Sequence, residues 1–284
     1  MKDIIIGVVS DYDFDKVKLW VNSANSCGFD GLKVMIAFNI SDATKKMLEE
    51  NGFTVFLASP ERNANDDGYL FMEGFTYRVT AARHFYTWLF LKNVKEKIRY
   101  VIATDVTDVI FQNNPSRWLE QNLGDKKICV GSEAISHRHE PWGDQVMHET
   151  FGSEVHEHMC EQPIYNAGSF AGEYEYFLGL SLNLALVIFG LNQPLPDQAS
   201  LNVLLTTQPF KDITKFNDHD TSWCCQCGTT AAPDKIDSFR PHLHSPEPIF
   251  DGEYVYTSKR EPYALVHQYN RNPAWKAAME KIYG

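Results

Sequence analysis

Two carboxylates, Asp105 and Asp108, close the apolar run Tyr100-Val101-Ile102-Ala103-Thr104 and stand three residues apart before the chain turns apolar again at Val109-Ile110-Phe111. Taking one ionised carboxylate out of water is costly, and taking out two close together is worse. A divalent cation offsets both charges, and Mg²⁺ or Mn²⁺ takes a few carboxylate oxygens together with the oxygens of a diphosphate. The plainer alternative is that Asp108 closes a turn and Asp105 makes a structural hydrogen bond. Three further stretches carry chemistry. His267 ends the apolar run Ala264-Leu265-Val266, and an imidazole suits Mn²⁺ better than Mg²⁺, although a lone histidine is more often structural. Asn166-Ala167-Gly168 interrupts the run from Ile164 to Gly172, either as a tight turn or as backbone lying close to a ligand. Asp197-Gln198 opens a helix, where Asp197 either caps it or acts on a ligand; a helix N-terminus stabilises a carboxylate and so weakens it as a base.

The elements that must position these groups alternate. Ile4 to Val9 reads as a buried parallel strand, residues 15–26 as a helix, Leu32 to Phe38 as a second strand, residues 41–51 as a helix capped by Ser41, and Phe53 to Ala58 as a third strand. Strand-helix-strand order of this kind predicts an open, mostly parallel α/β sheet flanked by helices in a single domain, with right-handed crossovers. Such sheets bind ligands beyond the carboxyl ends of their strands, so Ser10-Asp11 and the Asp105–Asp108 turn are expected on one face. Residues 59–74 read as a polar loop and residues 75–92 as a helix carrying Arg78 and Arg83. Residues 127–131 read as a strand and residues 137–158 as a surface loop or irregular helix. The most apolar stretch, Phe177 to Leu191, falls short of the ~20 residues that span a bilayer and reads as a buried helix. Residues 264–269 form a late strand and residues 273–283 a terminal helix.

The bulk properties narrow the classes. The chain has 284 residues, is 44% hydrophobic and carries a net charge of -11. Nucleic-acid binding needs a basic face and is not expected; an anionic ligand needs local cations. Cysteine usage is too sparse for a disulfide framework, and no stretch has the form of a leader or a membrane span. The expectation is a cytoplasmic protein with reduced thiols, with peripheral membrane contact and oligomeric state left open. Cys224-Cys225-x-Cys227 with His242-x-His244 offers Zn²⁺ ligand types, but not at the spacing of a standard finger; buried thiols are the plainer reading. His137, His139, His156 and His158 fit a solvated loop better than a metal site. Trp118, Trp142, Trp223 and Tyr269 are core or lid residues, of which one or two could stack on the ring of a ligand.

Four pieces together resemble the GT-A nucleotide-diphospho-sugar glycosyltransferases, in particular the glycogenin-like and galactosyltransferase-like branch. They are Val101-Ile102-Ala103-Thr104-Asp105-Val106-Thr107-Asp108, Tyr165-Asn166-Ala167-Gly168, Asp197-Gln198-Ala199-Ser200-Leu201-Asn202 and Val266-His267-Gln268-Tyr269. The first departs from the family's Asp-x-Asp by one residue, with Asp108 the better match to the second metal carboxylate. The resemblance implies a metal-dependent enzyme that moves a sugar from a nucleotide-diphosphate donor to a glycan or glycolipid. It implies Asp105, Asp108 and His267 as ligands of Mn²⁺ or Mg²⁺. Val9, Ser10, Asp11, Arg78, Arg83, Asp105, Asn166 and Gly168 are the implied donor-binding residues, and Asp197 and Gln198 the catalytic ones. Glu133 and Asp144 stand behind Asp197 as candidate bases. A nucleotidyltransferase or hydrolase using the same acidic pair, or a non-catalytic sugar- or nucleotide-binding module, is the alternative.

Overall fold

The computed structural model describes residues 1–62, 69–72, 75–191, 193 and 195–284. Strands β1 (Lys2–Ser10), β2 (Leu32–Phe38) and β3 (Thr54–Ala58) alternate with helices α1 (Phe14–Ser26) and α2 (Asp42–Glu50). Asp13 and Ser41 cap the two helices through their side chains, as short polar residues do at an N-terminus. A small ribbon of β4 (Glu61–Arg62), β5 (Tyr69–Met72) and β6 (Phe75–Tyr77) precedes helix α3 (Val79–Asn93). The expected polar loop thus contains strands where it is described, and the expected helix starts four residues later than its pattern suggested. Tyr77 belongs to β6, and Arg78 is the extended residue before the first turn. Aromatic and β-branched residues at 75–77 fit either state, and pairing with β5 decides for strand.

The central strand β7 (Ile98–Thr104) is followed, after the turn that carries Asp105 and Asp108, by β8 (Val109–Phe111) and helix α4 (Pro115–Asn122). Then come β9 (Ile128–Ser136), α5 (Pro141–Met159), β10 (Pro163–Glu173), α6 (Tyr174–Phe189), α7 (Asp197–Thr206), β11 (Thr214–Asn217) and β12 (Cys224–Gln226). A hairpin of β13 (Ile249–Phe250) and β14 (Val255–Tyr256) leads to β15 (Leu265–His267) and the last helix, Pro273–Tyr283.

The main sheet has the order β11-β9-β10-β7-β1-β2-β3. All neighbours run parallel except β10, which is antiparallel to both β7 and β9. Because β10 alone is reversed, the carboxyl ends of β1, β7 and β9 share one edge with the first half of β10. Apolar residues cover both faces. Ile4, Ile6, Val34 and Ile36 pack with Ala81, Ala82, Phe177, Leu180 and Leu184 of α3 and α6. Ile5, Val9 and Met35 pack with Val17, Trp20 and Val21 of α1. The stretch read as a buried core helix is α6, buried along one face and exposed at Leu186. Among the described residues no helix is long and apolar enough to cross a membrane.

A second sheet, β12-β15-β8, stands beside the end of β7. Its register pairs His267 with Val109 on one side and with Gln226 on the other. That pairing carries a histidine from near the end of the chain to the acidic turn.

Candidate functional site

The acidic turn is held from below. Trp20 Nε1 donates to Thr104 Oγ1 at 2.8 Å in the core. Val106, inside the turn, packs with the Trp20 ring over Gly7, where a Cβ would lie 2.9 Å from the ring and closer still to Val106. With β7 ended and pinned there, the next three residues bring Asp108 back beside Asp105. One oxygen or nitrogen of Asp105, Asp108 and His267 lies within 4.8 Å of the others. His267 Nε2 stands 3.6 Å from Asp105 Oδ2 and 3.6 Å from Asp108 Oδ2.

The histidine is oriented for ligation. Its Nδ1 donates to Gln226 Oε1 at 2.7 Å. Gln226 cannot turn its amide freely, because its Nε2 donates to Ser169 Oγ at 3.2 Å. His267 is 2% exposed, and among the described residues its Nε2 has no hydrogen-bond partner. A buried ring nitrogen left without a partner and aimed at two carboxylates, with the other nitrogen fixed by an outer group, is the arrangement of a metal-binding imidazole. Gly168 completes the cradle: a Cβ there would meet His267 Cε1 at 2.6 Å, Asp105 Oδ2 at 2.7 Å and Asn166 Oδ1 at 2.8 Å. The residues therefore fit a hard divalent cation with oxygen and imidazole donors.

Charge at this point is unevenly shared. Arg83, on α3, donates to Asp105 Oδ1, to Asp197 Oδ2 at 2.8 Å and to the Ala167 carbonyl at 3.1 Å. Burial pushes the Asp105 carboxyl up, but the Arg83 guanidinium and His267 outweigh it and hold the group far below the usual range. Asp108 has no such arginine contact, and burial leaves its pKa raised. Burial pushes His267 down, and the Asp108 and Asp105 carboxylates overcome that and raise it. Asp197 is raised by burial despite Arg83. It is the first residue of α7, where Pro196 and not Asp197 holds the N-cap position, and its Oδ2 accepts from Arg83.

The Asn-Ala-Gly stretch is a bulge. Tyr165 pairs with Ser132 and Phe170 with Val130, so the residues between them loop out of β10. Asn166 Oδ1 accepts the Gly168 N–H at 2.5 Å, and its Nδ2 donates to Glu133 Oε1 at 2.6 Å. Asp105 N–H donates to the Gly168 carbonyl at 2.8 Å, tying the bulge to the acidic turn. Such bulges re-aim side chains beside active sites.

These residues line a cavity of about 540 Å³, within the size range of small-ligand sites. Of the residues singled out from the sequence, it gathers Arg83, Asp105, Asp108, Glu133, Trp142, Asn166, Gly168, Asp197, Gln198 and His267. Val9, Ser10, Asp11 and Arg78 lie outside this lining. Val9 is buried, Ser10 Oγ donates to Asp11 Oδ2 at 2.6 Å at the end of β1, and Arg78 is exposed before α3. Asp144 pairs with His156 on α5 at 2.7 Å. The pattern of types and spacing did not single out Glu140, Thr229, Lys235, Gln268 or Arg271, which the cavity also includes, nor Gln226 behind the histidine. Arg271, four residues after His267 and lowering the Asp108 pKa by its charge, was the one with a local signal. Cys225 and Cys227 are buried with their sulfurs 3.6 Å apart, and Cys224 Sγ accepts from Ser169 Oγ at 3.1 Å. The cluster of three or more metal-ligand types among the described residues is the Asp105, Asp108 and His267 group.

Glu133 gives a test that needs no ligand. Burial, with Glu140 adding to it, pushes its carboxyl up to about 7. The unfolded chain ionises this group near its ordinary value of 4.5, so between there and about pH 7 the folded state holds the extra proton. Stability falls as pH rises through that window. Glu133→Gln should remove this loss, so the variant gains on the wild type by about 3 kcal/mol between pH 4.5 and 8 in metal-free buffer. Urea unfolding at several pH values measures it, and parallel profiles would refute the assignment.

No family model and no curated protein sequence matches the chain. Solved structures do. The galactosyltransferase LgtC in complex with donor and acceptor sugar analogues superposes with a TM-score of 0.56 at 13% identity, over 98% of this chain and 95% of that one. An active-site mutant of LgtC gives 0.53 at 14% identity, over 93% and 86%. Mouse xyloside xylosyltransferase 1 in its apo form gives 0.51 at 14% identity, over 94% and 97%. The glycosyltransferase GlyE of Streptococcus pneumoniae TIGR4 gives 0.52 at 14% identity, over 99% of this chain and 63% of that one. Reversed β10 in an otherwise parallel sheet, the acidic turn after β7 and near-complete coverage lead to one conclusion: the chain has the GT-A fold that these glycosyltransferases share.

Proposed function

We propose that the protein is a metal-dependent glycosyltransferase that moves a sugar from a nucleotide-diphosphate donor to a hydroxyl of a glycan or glycolipid. The observation that carries this is the convergence of Asp105, Asp108 and the oriented, partnerless Nε2 of His267 on the floor of one cavity. Asp105 Oδ2, Asp108 and His267 would hold Mn²⁺ or Mg²⁺, which supplies Lewis acidity toward a diphosphate leaving group.

The chain's own residues do the rest. Asp105 stays ionised because Arg83 faces its other oxygen, which leaves Oδ2 for the cation. Arg271, at the cavity wall beside the acidic turn, adds the positive charge that a diphosphate needs in a chain of net charge -11. Asn166 and Gly168 line the sugar pocket through the bulge. Asp197 is ion-paired, which makes it an acceptor of hydrogen bonds from sugar hydroxyls rather than a free base. Glu133, with a pKa near 7, is the carboxyl able to take or hold a proton at neutral pH. Val9, Ser10, Asp11 and Arg78 remain our proposal for the nucleoside end, on the β1 side of the acidic turn.

Titration calorimetry of a panel of nucleotide-diphosphate sugars tests this, with Mn²⁺ and with chelator. The expected result is one donor binding at micromolar affinity with Mn²⁺ and at least tenfold more weakly without it. Binding of every donor unchanged by chelator would refute metal dependence. Donor consumption with no glycoside formed would point to the hydrolase or nucleotidyltransferase alternative.

A further inference from the structure

Six tryptophans are present, and the fold treats one differently. Trp20, Trp118, Trp223 and Trp275 are buried and Trp88 is half-buried, whereas Trp142 is 44% exposed and lines the cavity. Its backbone is locked on both sides. Pro141 is the first residue of α5, and Glu140 Oε2 accepts the Gly143 N–H at 2.6 Å. A Cβ on Gly143 would lie 3.0 Å from Ile164 Cδ1 and 3.1 Å from Glu140 Oε2. The turn is thus packed down while the indole is left at the rim.

Topology gives the rim a direction. The acidic turn follows β7, the bulge lies on β10 next to it, and Glu133 and Trp142 belong to the end of β9 and the segment after it, one strand further. With strands about 4.8 Å apart, β9 lies roughly 10 Å from β7, on the side away from β1. A donor whose diphosphate meets the acidic turn and whose nucleoside lies toward β1 has its sugar over β10. What approaches from β9 is the acceptor. Among the described residues the wall there carries the carboxylates Glu140 and Asp234 against Lys235, beside the partly protonated Glu133, so it favours a neutral acceptor over an anionic one.

We propose that Trp142 is the platform of the acceptor subsite. The apolar face of a neutral pyranoside stacks on its indole, and the sugar hydroxyls turn toward the acidic wall. This assignment of the occupant rests on the glycosyl-transfer reading above. An aromatic ring suits it because a pyranose presents C–H groups on one face and hydroxyls at its edge, matching a surface that is apolar in the middle and flanked by acceptors.

Protein labelled with 5-fluorotryptophan tests it, the Trp142 ¹⁹F resonance being the one lost in Trp142→Phe. Methyl glycosides of glucose, galactose, xylose and N-acetylglucosamine, and methyl glucuronide, are titrated with Mn²⁺ present. The expected result is a saturable shift of the Trp142 resonance by at least one neutral glycoside and none by the glucuronide. No saturable shift with any neutral glycoside, or a response to the glucuronide as large, overturns the proposal. With that glycoside as acceptor and the donor found by calorimetry, Trp142→Ala should raise the acceptor KM about tenfold and change donor affinity less than about twofold, with Trp142→Phe recovering most of the loss. An unchanged acceptor KM overturns it. A shifted Trp142 resonance in a protein that binds no nucleotide sugar sinks the transferase reading and leaves Trp142 a sugar platform, so the two failures are distinct.

Discussion

Asp108→Ala should abolish the Mn²⁺-induced rise in melting temperature and weaken nucleotide-diphosphate binding in Mn²⁺ by at least about 100-fold, while leaving the metal-free protein as stable as the wild type to within about 1 kcal/mol. The reasoning is electrostatic. Asp105 has Arg83 on one oxygen, whereas Asp108 faces His267 and the Asp105 charge at close range, with Arg271 acting through its charge. In the metal-free chain Asp108 is therefore the carboxylate held at a cost, and burial has already raised its pKa. Deleting it removes that cost together with the ligand. With a cation bound the same group is indispensable, because among the described residues three side chains, Asp105, Asp108 and His267, reach the point. Differential scanning fluorimetry with and without Mn²⁺, beside calorimetry, reads both halves. A variant that keeps the Mn²⁺ shift would show that Asp108 serves the turn and not a metal. A variant that unfolds without metal would assign the carboxylate a structural role.

Arg83→Met should cost about 3–5 kcal/mol of stability, the range for removing one partner of a buried ion pair. Two carboxylates depend on this guanidinium, Asp105 and Asp197, and it also donates to the Ala167 carbonyl inside the bulge. Methionine matches much of the volume but leaves Asp197 without the guanidinium and Asp105 with His267 as its near counter-charge. Both pKa values should then rise, and the stability deficit should grow from acid toward neutral pH, since the unfolded chain ionises both groups freely. Arg83→Lys keeps the charge but loses the planar fork that reaches two acids at once, so an intermediate loss is expected. Chemical unfolding of the three proteins at pH 5 and pH 8 checks the order. A methionine variant within about 1 kcal/mol of wild type at pH 8 would mean that water screens these acids and that the triad is an open surface cluster.

Much of this was legible along the chain. Runs such as Ile4 to Val9 and Tyr100 to Thr104 announce buried strands because β-branched residues with no polar face can only lie between two layers. Ser41 declares a helix start because capping is local chemistry; it accepts the Thr44 N–H at 3.1 Å. Asp105 and Asp108 declare a site because two acids at the end of a buried strand demand an explanation at short range. The resemblance through four short pieces points to the same fold as the solved structures.

The remainder depended on which residues meet across the sheets. Nothing near Tyr77 or Arg78 shows that the helix waits until Val79, because the pairing of β6 with β5 comes from residues further up the chain. Asp197 looks like a cap by position, but the helix begins with Pro196 at the N-cap, and Arg83 arrives from α3 to bind the Asp197 carboxylate. The Asn166–Ser169 bulge depends on the mismatch between β9 and β10. Gln226, which sets the tautomer of His267, is 41 residues from it in sequence and carries no motif. Trp142 reads like the other tryptophans until burial separates them. By itself the sequence determined strands β1, β2, β3 and β7, the acidic pair and the histidine that ends the late strand, since strand burial and carboxylate desolvation act within a few residues. The tertiary structure alone decided which oxygen each acid offers, which nitrogen the histidine presents and which aromatic faces the cavity, because hydrogen-bond partners and solvent exposure are properties of juxtaposed elements and not of neighbours along the chain.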